Sequence, residues 1–329
     1  MKDLYNRKIT YLRVSITDRC DFRCTYCMPE KMQFLPKKDV LSLEEIYRIC
    51  KVFVNKGITK IRITGGEPLV RKNALSLFEQ LGKDLNKTNL KELTLTTNGN
   101  NLEKYADQLF ESGVRRINIS LDTLKPKIFK TITRKDNFDS VLRGIEKAKK
   151  AGLSIKINTV ALRGINDGEF DDFIRWCGIN KFTLTLIETM PMGEVDSDRR
   201  KTFLPLSEVY EDLKKRWTLE ELKDNTGGPA RYKLVKELNT KLGLITPMSH
   251  NFCMDCNRVR LSCTGKLYMC LGQNDSVDLK AIARLSSDDK LIEKAIDKAM
   301  YFKPKEHNFL INNSHISSGT SRQMNVTGG

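Results

Sequence analysis

Hydrophobic residues recur along the chain with two alternating periods. Six short runs of mostly aliphatic and β-branched residues are typical of strands, and the segments between them repeat apolar residues at helical spacing. The predicted strands are residues 11–17, 60–64, 92–97, 116–121, 155–161 and 182–189. The predicted helices between them lie near residues 72–84, 101–112, 137–151 and 168–177. A further helix is predicted to begin after Ser42, which forms a capping box with Glu45, and to end at Gly57.

The order of these elements predicts an α/β fold with a parallel sheet. Successive strands are mostly about thirty residues apart, which is the size of a βαβ unit with a right-handed crossover. Six such strands predict a partial (β/α)6 TIM-like barrel. A doubly wound open sheet is the alternative, because periodicity alone does not separate the two folds. In both, ligands bind at the carboxyl ends of the strands.

A change of sequence character after Met190 predicts a second, smaller region. A polar stretch with several prolines and glycines follows. We expect residues 1–225 to form the partial barrel and residues 226–329 to form a smaller C-terminal α+β domain. The elements expected in that domain are strands at residues 231–235 and 242–245, a hairpin at residues 264–265 and two helices.

The chain carries a strong positive charge. It has 57 lysines and arginines against 41 aspartates and glutamates, a net charge of +16, which favours anionic partners such as nucleotides, nucleic acids or lipid headgroups. However, no aromatic-interleaved basic run typical of RNA recognition occurs, and no apolar stretch approaches the roughly 18 residues of a membrane span. The first residues also lack the apolar region of a signal peptide. We therefore expect a cytoplasmic protein with no nucleic-acid partner and no membrane partner.

The nine cysteines fall into two kinds. Cys50 and Cys177 continue the apolar stripes of predicted helices, so we expect both to be buried. The other seven form two groups flanked by charged residues. These seven are Cys20, Cys24 and Cys27, followed by Cys253, Cys256, Cys263 and Cys270. Without an export signal, such groups indicate thiolates kept reduced for metal binding rather than disulfides.

The first cysteine group (Cys20, Cys24 and Cys27) follows the first predicted strand. It supplies three thiolates within eight residues, whereas a closed zinc or iron–sulfur site needs four ligands. No other cysteine or histidine lies within twenty residues, so either a distant residue completes the site or a small molecule occupies the free metal position. Phe22 and Tyr26 lie between the ligands and would shield a cluster from water, which favours iron and sulfur over zinc.

The first cysteine group, together with Gly65-Gly66-Glu67-Pro68 after the second predicted strand, resembles the radical S-adenosylmethionine superfamily. The resemblance implies that the three thiolates hold a four-iron four-sulfur (4Fe-4S) cluster whose free iron binds S-adenosylmethionine. One electron then cleaves this cofactor to a 5′-deoxyadenosyl radical. The residues that would contact S-adenosylmethionine are Tyr26, Gly66, Ser120 and Met190.

The second cysteine group (Cys253, Cys256 and Cys270) and the terminal Gly328-Gly329 narrow the resemblance. Over essentially its whole length the chain is similar to the GTP 3′,8-cyclase family of molybdenum cofactor biosynthesis. The resemblance implies a second 4Fe-4S cluster in the smaller domain, whose free iron meets the guanine base. It also implies removal of the ribose 3′ hydrogen of GTP by the adenosyl radical. The product would be 3′,8-cyclo-7,8-dihydro-GTP, formed in the first step of the cofactor pathway.

The substrate would have to be held by side chains, because no G-x-x-x-x-G-K-[ST] phosphate loop occurs. Arg258 and Arg260 are two apart on a predicted strand, so both face one side beside the second cysteine group. The resemblance implies GTP contacts from Arg13, Arg62, Thr96, Lys156, Arg258 and Arg260. It also implies that Gly328 and Gly329 reach the active site and join Arg13, Arg258 and Arg260 as catalytic residues, although a terminal Gly-Gly alone is more commonly frayed.

Two positions depart from the family pattern. Cys263 stands where a serine or similar small residue is usual, which raises the alternative of a fourth thiolate that closes the second cluster. Thr185 stands where an arginine is common, so the role of that arginine is absent or supplied elsewhere. The histidines match no metal-ligand spacing and receive no role.

Two other functions are alternatives to the GTP 3′,8-cyclase interpretation. One is a radical S-adenosylmethionine enzyme that modifies peptides, although such enzymes typically need more cysteines for their extra clusters. The other is a nucleic-acid-binding iron–sulfur or zinc module, suggested by the charge alone. For the GTP 3′,8-cyclase interpretation, the implied partners are GTP, an electron donor such as flavodoxin or ferredoxin, and a downstream cyclic pyranopterin monophosphate synthase. A homodimer is left open.

Overall fold

Six parallel strands form the first part of the fold. The computed structural model describes residues 1–223, 227–249, 252–307, 309–311, 316–317, 320 and 322–328. The six strands are β1 (Tyr11–Ser15), β2 (Lys60–Thr64), β3 (Glu92–Thr97), β4 (Arg116–Ser120), β5 (Ser154–Ala161) and β6 (Thr183–Glu188). They pair in sequence order from β1 to β6, and every pair is parallel. This order lacks the reversal of a doubly wound sheet, so the partial TIM-like barrel is confirmed.

Six helices connect and cover these strands. They are α1 (Leu43–Asn55), α2 (Ala74–Asp84), α3 (Leu102–Glu111), α4 (Pro126–Thr133), α5 (Phe138–Lys150) and α6 (Phe170–Asn180). The predicted capping box of α1 is present, since the Ser42 hydroxyl accepts from the Glu45 amide and the Glu45 carboxylate accepts from the Ser42 amide. Helix α4 was not predicted, because its eight residues give only two turns of apolar pattern.

The C-terminal region extends the same sheet at both edges. Its elements are α7 (Arg199–Thr202), α8 (Leu206–Leu213), β7 (Leu219–Leu222), β8 (Arg231–Val235), β9 (Thr240–Ile245), β10 (Arg258–Leu261), β11 (Lys266–Tyr268), β12 (Ser276–Asp278), α9 (Leu279–Leu285), α10 (Asp289–Tyr301), β13 (Leu310–Ile311), β14 (Ile316–Ser317) and α11 (Met324–Thr327). Strand β10 lies parallel beside β1, and β9 lies parallel beside β6. The sheet therefore has twelve strands in the order β12-β11-β10-β1-β2-β3-β4-β5-β6-β9-β8-β7. The division between residues 225 and 226 stays a prediction.

The core lies between the strands and the surrounding helices. Cys50 and Cys177 are fully buried in it, as expected. Several residues that alternate with the core residues along the strands are instead polar or charged, and they face the interior of the barrel. None of the described helices is both long enough and apolar enough to cross a bilayer.

Candidate functional site

The first cysteine group lies in the loop after the carboxyl end of β1, and the glycine motif after β2 holds this loop in place. The Gly66 amide donates to the Thr17 carbonyl at 2.8 Å, and the Glu67 amide donates to the Arg19 carbonyl at 2.8 Å. A Cβ atom added at Gly66 would lie 2.4 Å from the Arg19 oxygen. Only glycine therefore fits this approach of two backbones immediately before Cys20.

A network of polar side chains at and after the carboxyl end of β3 fixes the same loop. Asp21 accepts hydrogen bonds from the side-chain amides of Asn98, Asn100 and Asn101. The buried Glu67 carboxylate accepts from the Thr97 hydroxyl and from two backbone amides. Burial raises the pKa of Glu67 to about 8. Helix α4 adds further support, because its last carbonyls accept from two amides of the cysteine loop.

The thiols of the first cysteine group are free and lie in a low-dielectric environment. Burial raises the pKa of Cys20 and Cys24 well above the usual thiol value and raises that of Cys27 to about 11. Three thiolates at such a site require a cationic partner, which fits iron. In the described part of the chain, no three cysteine, histidine or acidic side chains are placed to hold a single metal ion. In an iron–sulfur cluster, by contrast, each cysteine binds a different iron atom.

The residues expected to contact S-adenosylmethionine fall in three places, of which the position of Gly66 against the Arg19 backbone is one. Tyr26 and Ser120 line a small cavity beside Cys24. In it, the Tyr26 hydroxyl donates to the Asp122 carboxylate at 2.7 Å. Burial raises the pKa of Asp122 to about 6, although the bond from Tyr26 opposes this effect. Met190 lies apart from these residues and lines a larger cavity inside the barrel.

That larger space, which we call the basic cavity, is enclosed by strands from both parts of the chain. It encloses about 1110 Å³ of space including its open mouth. Its described wall residues include no aspartate or glutamate. The lysines and arginines that line it are Arg13, Lys60, Arg62, Lys156, Arg258 and Arg260. All the basic residues expected to bind GTP are therefore brought together here.

Strand register places three of these arginines side by side. Arg260 of β10, Arg13 of β1 and Arg62 of β2 are direct partners across the parallel sheet. The Nε and Nη2 atoms of Arg13 are buried and have no hydrogen-bond partner among the described residues. Because buried guanidinium donors without acceptors are costly, this arrangement fits an anion in the cavity.

Burial and nearby positive charges alter the ionisation of Lys156 in the cavity wall. Burial, followed by repulsion from Arg116 and Arg62, lowers the pKa of Lys156 to about 7. The Lys156 ammonium contacts the Tyr232 hydroxyl. Arg62 donates to the hydroxyl of Thr96 at 3.1 Å, so Thr96 is joined to the cavity wall through this arginine.

The second cysteine group lies at the end of the basic cavity near the amino ends of β10 and β1. All three cysteines line the cavity. Although burial raises the pKa of Cys256, the positive charges of Arg258 and Lys303 outweigh it and lower the value to about 6. A thiolate at this position therefore suits a metal-bound sulfur.

Cys263 and Thr185, the two departures, lie away from the second cysteine group. Cys263 follows the carboxyl end of β10, whereas Cys256 precedes its amino end, so the strand separates the two thiols. Burial raises the pKa of Cys263 to about 12. Thr185 is buried in β6, and its hydroxyl has no partner among the described residues.

The C-terminal tail enters the barrel. The Gly328 carbonyl accepts a hydrogen bond from Arg260 Nη1 at 2.8 Å. A Cβ atom at Gly328 would lie 2.3 Å from the Thr64 side chain, and the residue has φ of +69°. Gly329, His250 and His315 lie outside the described residues.

Sequence reasoning gave no role to several residues of the site. They are Tyr11, Lys60, Asn158, His307 and Phe309 in the cavity wall, Asp122 beside Tyr26, and Lys303 beside Cys256. Tyr11 and Lys60 share the two-residue period of Arg13 and Arg62, which was the signal available for them. Lys303 follows a helix fifty residues beyond Cys253, and nothing in the sequence links the two.

The three-cysteine loop after the first strand of an open α/β barrel defines a radical S-adenosylmethionine protein. A profile described as the Radical SAM superfamily matches residues 14–177, and one described as Molybdenum Cofactor Synthesis C matches residues 182–309. Proteins of this superfamily use S-adenosylmethionine and a 4Fe-4S cluster.

Relatives of high identity narrow the assignment. The GTP 3′,8-cyclase of Rhizobium etli (strain CIAT 652) is 57% identical over 329 residues, which cover 100% of this chain and 94% of that protein. The GTP 3′,8-cyclase of Brucella ovis is 55% identical, with 100% and 96% covered. The chain therefore belongs to the GTP 3′,8-cyclase family.

Solved structures of lower identity share the fold. Streptococcus suis SuiB bound to S-adenosylmethionine superposes with a TM-score of 0.62 at 15% identity, covering 86% of this chain and 67% of that one. Native anSMEcpe with bound AdoMet gives a TM-score of 0.50 at 22% identity, covering 63% and 60%. At these identities the likeness shows the fold alone.

Proposed function

We propose that this chain is a GTP 3′,8-cyclase that forms 3′,8-cyclo-7,8-dihydro-GTP in the first step of molybdenum cofactor biosynthesis. The observation that carries the proposal is the placement of two three-cysteine groups toward opposite ends of β1. The basic cavity is lined by β1 and by the strands on either side of it, β10 and β2. The high identity to named GTP 3′,8-cyclases supports it over the full length.

The first cysteine group would hold one 4Fe-4S cluster and the second cysteine group another. With S-adenosylmethionine bound, the first cluster would supply the 5′-deoxyadenosyl radical that removes the ribose 3′ hydrogen. Tyr26, Gly66, Ser120 and Met190 would contact this cofactor. The position of Tyr26 and Ser120 beside Cys24 supports the first site, and the placement of all three second-group cysteines in one cavity wall supports the second.

The basic cavity would bind GTP through its triphosphate. The residues that would contact it are Arg13, Arg62, Thr96, Lys156, Arg258 and Arg260. The unpaired donors of Arg13 support an anion at this place, because charge-assisted bonds to phosphate are the strongest that a guanidinium makes. Fixing the phosphates also fixes the ribose, which is how the protein would direct hydrogen removal to one carbon.

The tail would complete the site. Arg260 donates to the Gly328 carbonyl, so this bond orients the guanidinium of Arg260 toward its place in the cavity wall. The tail is also tied to the segment before the first cysteine group, because the Asp18 carbonyl accepts from the Asn325 side-chain amide at 2.7 Å. Closure of the barrel would exclude water from a radical reaction.

Product analysis without air tests the proposal. GTP carrying deuterium at the ribose 3′ carbon would be incubated with the reconstituted protein, S-adenosylmethionine and a reductant. We expect 5′-deoxyadenosine to form only when GTP is present, to contain the deuterium, and to accompany a 3′,8-cyclised nucleotide. Cofactor cleavage without deuterium transfer from GTP would contradict the proposal.

The remaining partners are also proposals. Cleavage of S-adenosylmethionine consumes one electron, and conversion of the cyclised nucleotide radical to the 7,8-dihydro product consumes a second electron and a proton. An external donor such as flavodoxin or ferredoxin is therefore required. The cyclised nucleotide would pass to a cyclic pyranopterin monophosphate synthase. A cytoplasmic location stays a prediction from the sequence and the family, and a homodimer is left open.

A further inference from the structure

Lys303 is a buried lysine behind the second cysteine group. Its side chain is 3% exposed and follows the end of α10. The ammonium lies 3.6 Å from Cys256 Sγ, 3.0 Å from the Arg258 carbonyl and 2.5 Å from the Met269 carbonyl. The cavity residues expected to bind GTP do not include it.

The three contacts match the three protons of an ammonium group. A lysine ammonium has three donors and no acceptor, whereas a neutral amine has two donors. Three acceptors around the Lys303 nitrogen therefore fit the charged form, with one proton directed at the Cys256 sulfur. The other two contacts join the segment after Cys256 to the segment before Cys270, so this one ammonium links both cysteine-bearing segments.

A second buried cation holds Lys303 in place. Arg7 forms a salt bridge with Asp3 at 2.6 Å, and both side chains are buried. Its guanidinium also donates to the carbonyls of Cys253, Pro304 and Lys305. The N-terminal segment thus ties the chain after Lys303 to the third segment that bears a ligand cysteine.

We propose that Lys303 is a positioning residue of the second cluster, which donates a hydrogen bond to Cys256 and makes the cluster easier to reduce. The inference rests on the second cluster of the proposed function. Hydrogen bonds to cluster sulfurs and nearby positive charge favour the reduced state, because reduction adds negative charge. Lys303 also fixes the spacing of the segments that carry Cys256 and Cys270, so it stabilises the cluster against loss.

Redox titration of the holoenzyme followed by EPR tests this role. The signal that changes when S-adenosylmethionine is added belongs to the first cluster, and the other belongs to the second. Lys303→Met keeps the apolar stem and removes the ammonium. We expect the reduction potential of the second signal to become more negative and that of the first to stay unchanged. Lys305→Met is the matched control, because it removes an exposed charge two residues away and should move neither potential.

A second variant keeps the role testable if Lys303→Met loses the second cluster. Lys303→Gln retains a neutral donor, and we expect a smaller negative shift than in Lys303→Met. Selective loss of the second cluster from Lys303→Met, with the first retained, would also support the positioning role. An unchanged potential and full iron content in both Lys303 variants would overturn it. A wild-type protein without a second cluster would instead refute the proposed function, so the two failures are distinguishable.

Discussion

Arg13 carries the clearest sign of an anionic ligand at the scale of single residues. Burial, together with repulsion from Arg62 and Arg258, lowers the pKa of its guanidinium to about 10. Two of its donor atoms are unpaired, so the ligand-free protein keeps a buried cation at a cost to its own stability. Such an arrangement is stable only when the rest of the fold determines it, and it would bind phosphate without further rearrangement.

Replacement of Arg13 by glutamine is expected to separate binding from stability. Loss of a charge-assisted hydrogen bond costs about 1.5–3 kcal/mol, so GTP affinity should fall roughly 10- to 140-fold. The free energy of unfolding should not fall, because a buried cation with two unpaired donor atoms is removed. Anaerobic calorimetry and chemical denaturation measure both. Arg143→Gln, at an exposed position, is the control, and unchanged affinity in Arg13→Gln would contradict the assignment.

Lys156 gives GTP binding a pH dependence. In the free protein its pKa is about 7, and an adjacent triphosphate favours the charged ammonium, so binding near pH 7 should take up about half a proton. The contribution of Lys156 to affinity should therefore decrease as pH rises above 7. Calorimetry in buffers of different ionisation enthalpy measures this uptake. Lys156→Met should lower the uptake, and equal uptake in both proteins would exclude the role.

The sequence identified most of the basic residues of the cavity wall, but not the burial and the neighbouring charges that set their pKa values. The spacing of Arg258 and Arg260 placed both on one face, and the structure has both in the cavity wall. The lowered pKa of Lys156 depends on its burial and on the repulsion of three cations from other strands. Such a sum of long-range charges exists only after the barrel has formed.

At the scale of elements, the first cysteine group and the glycine motif lie in loops that follow parallel strands. The boundaries of β2 and β3 coincide with the predicted runs, because aliphatic residues alternate with polar ones along both strands and the two-residue period is readable in the sequence. Helix α4 escaped prediction, although its end supports the cysteine loop and its Phe129 stacks edge-on against Phe22 at 5.6 Å. Its short amphipathic pattern becomes informative only next to the loop that it covers.

Gly66→Ala is expected to disrupt the first cluster selectively. The added methyl group would overlap the Arg19 carbonyl, so the cysteine loop must move away from β2. We expect the variant to lose about half of its bound iron. We also expect it to lose S-adenosylmethionine cleavage and to retain GTP binding. Iron analysis and EPR measure the effect. Gly168→Ala is the control because nothing lies within 4 Å of its added Cβ, and a Gly66→Ala protein with full iron content would argue against this packing.

Removal of residues 328–329 is expected to abolish turnover while both clusters remain. The bond from Arg260 to the Gly328 carbonyl would be lost, and the arginine would no longer be held at its position. Product formation and iron content are the measurements. Full activity of the truncated protein would refute the catalytic role of the tail.

At the scale of the whole molecule, one sheet unites the two regions. The sequence predicted a smaller C-terminal α+β region, but not that its strands would pair with both edge strands of the barrel, since partner choice between distant strands leaves no local pattern. Strands β10 and β9 cover the edges of β1 and β6, which would otherwise expose unpaired backbone groups. The pairing of β10 with β1 brings Arg258 and Arg260 beside Arg13, so both regions are needed to form the cavity.

Spectroscopy on protein purified and reconstituted without air tests the central claim most directly. The claim is that each cysteine group binds one cluster that leaves an iron atom open to a small molecule. Mössbauer and EPR spectra with metal analysis should reveal two 4Fe-4S clusters per chain, the first perturbed by S-adenosylmethionine and the second by GTP. A single cluster, or zinc bound by either cysteine group, would contradict it.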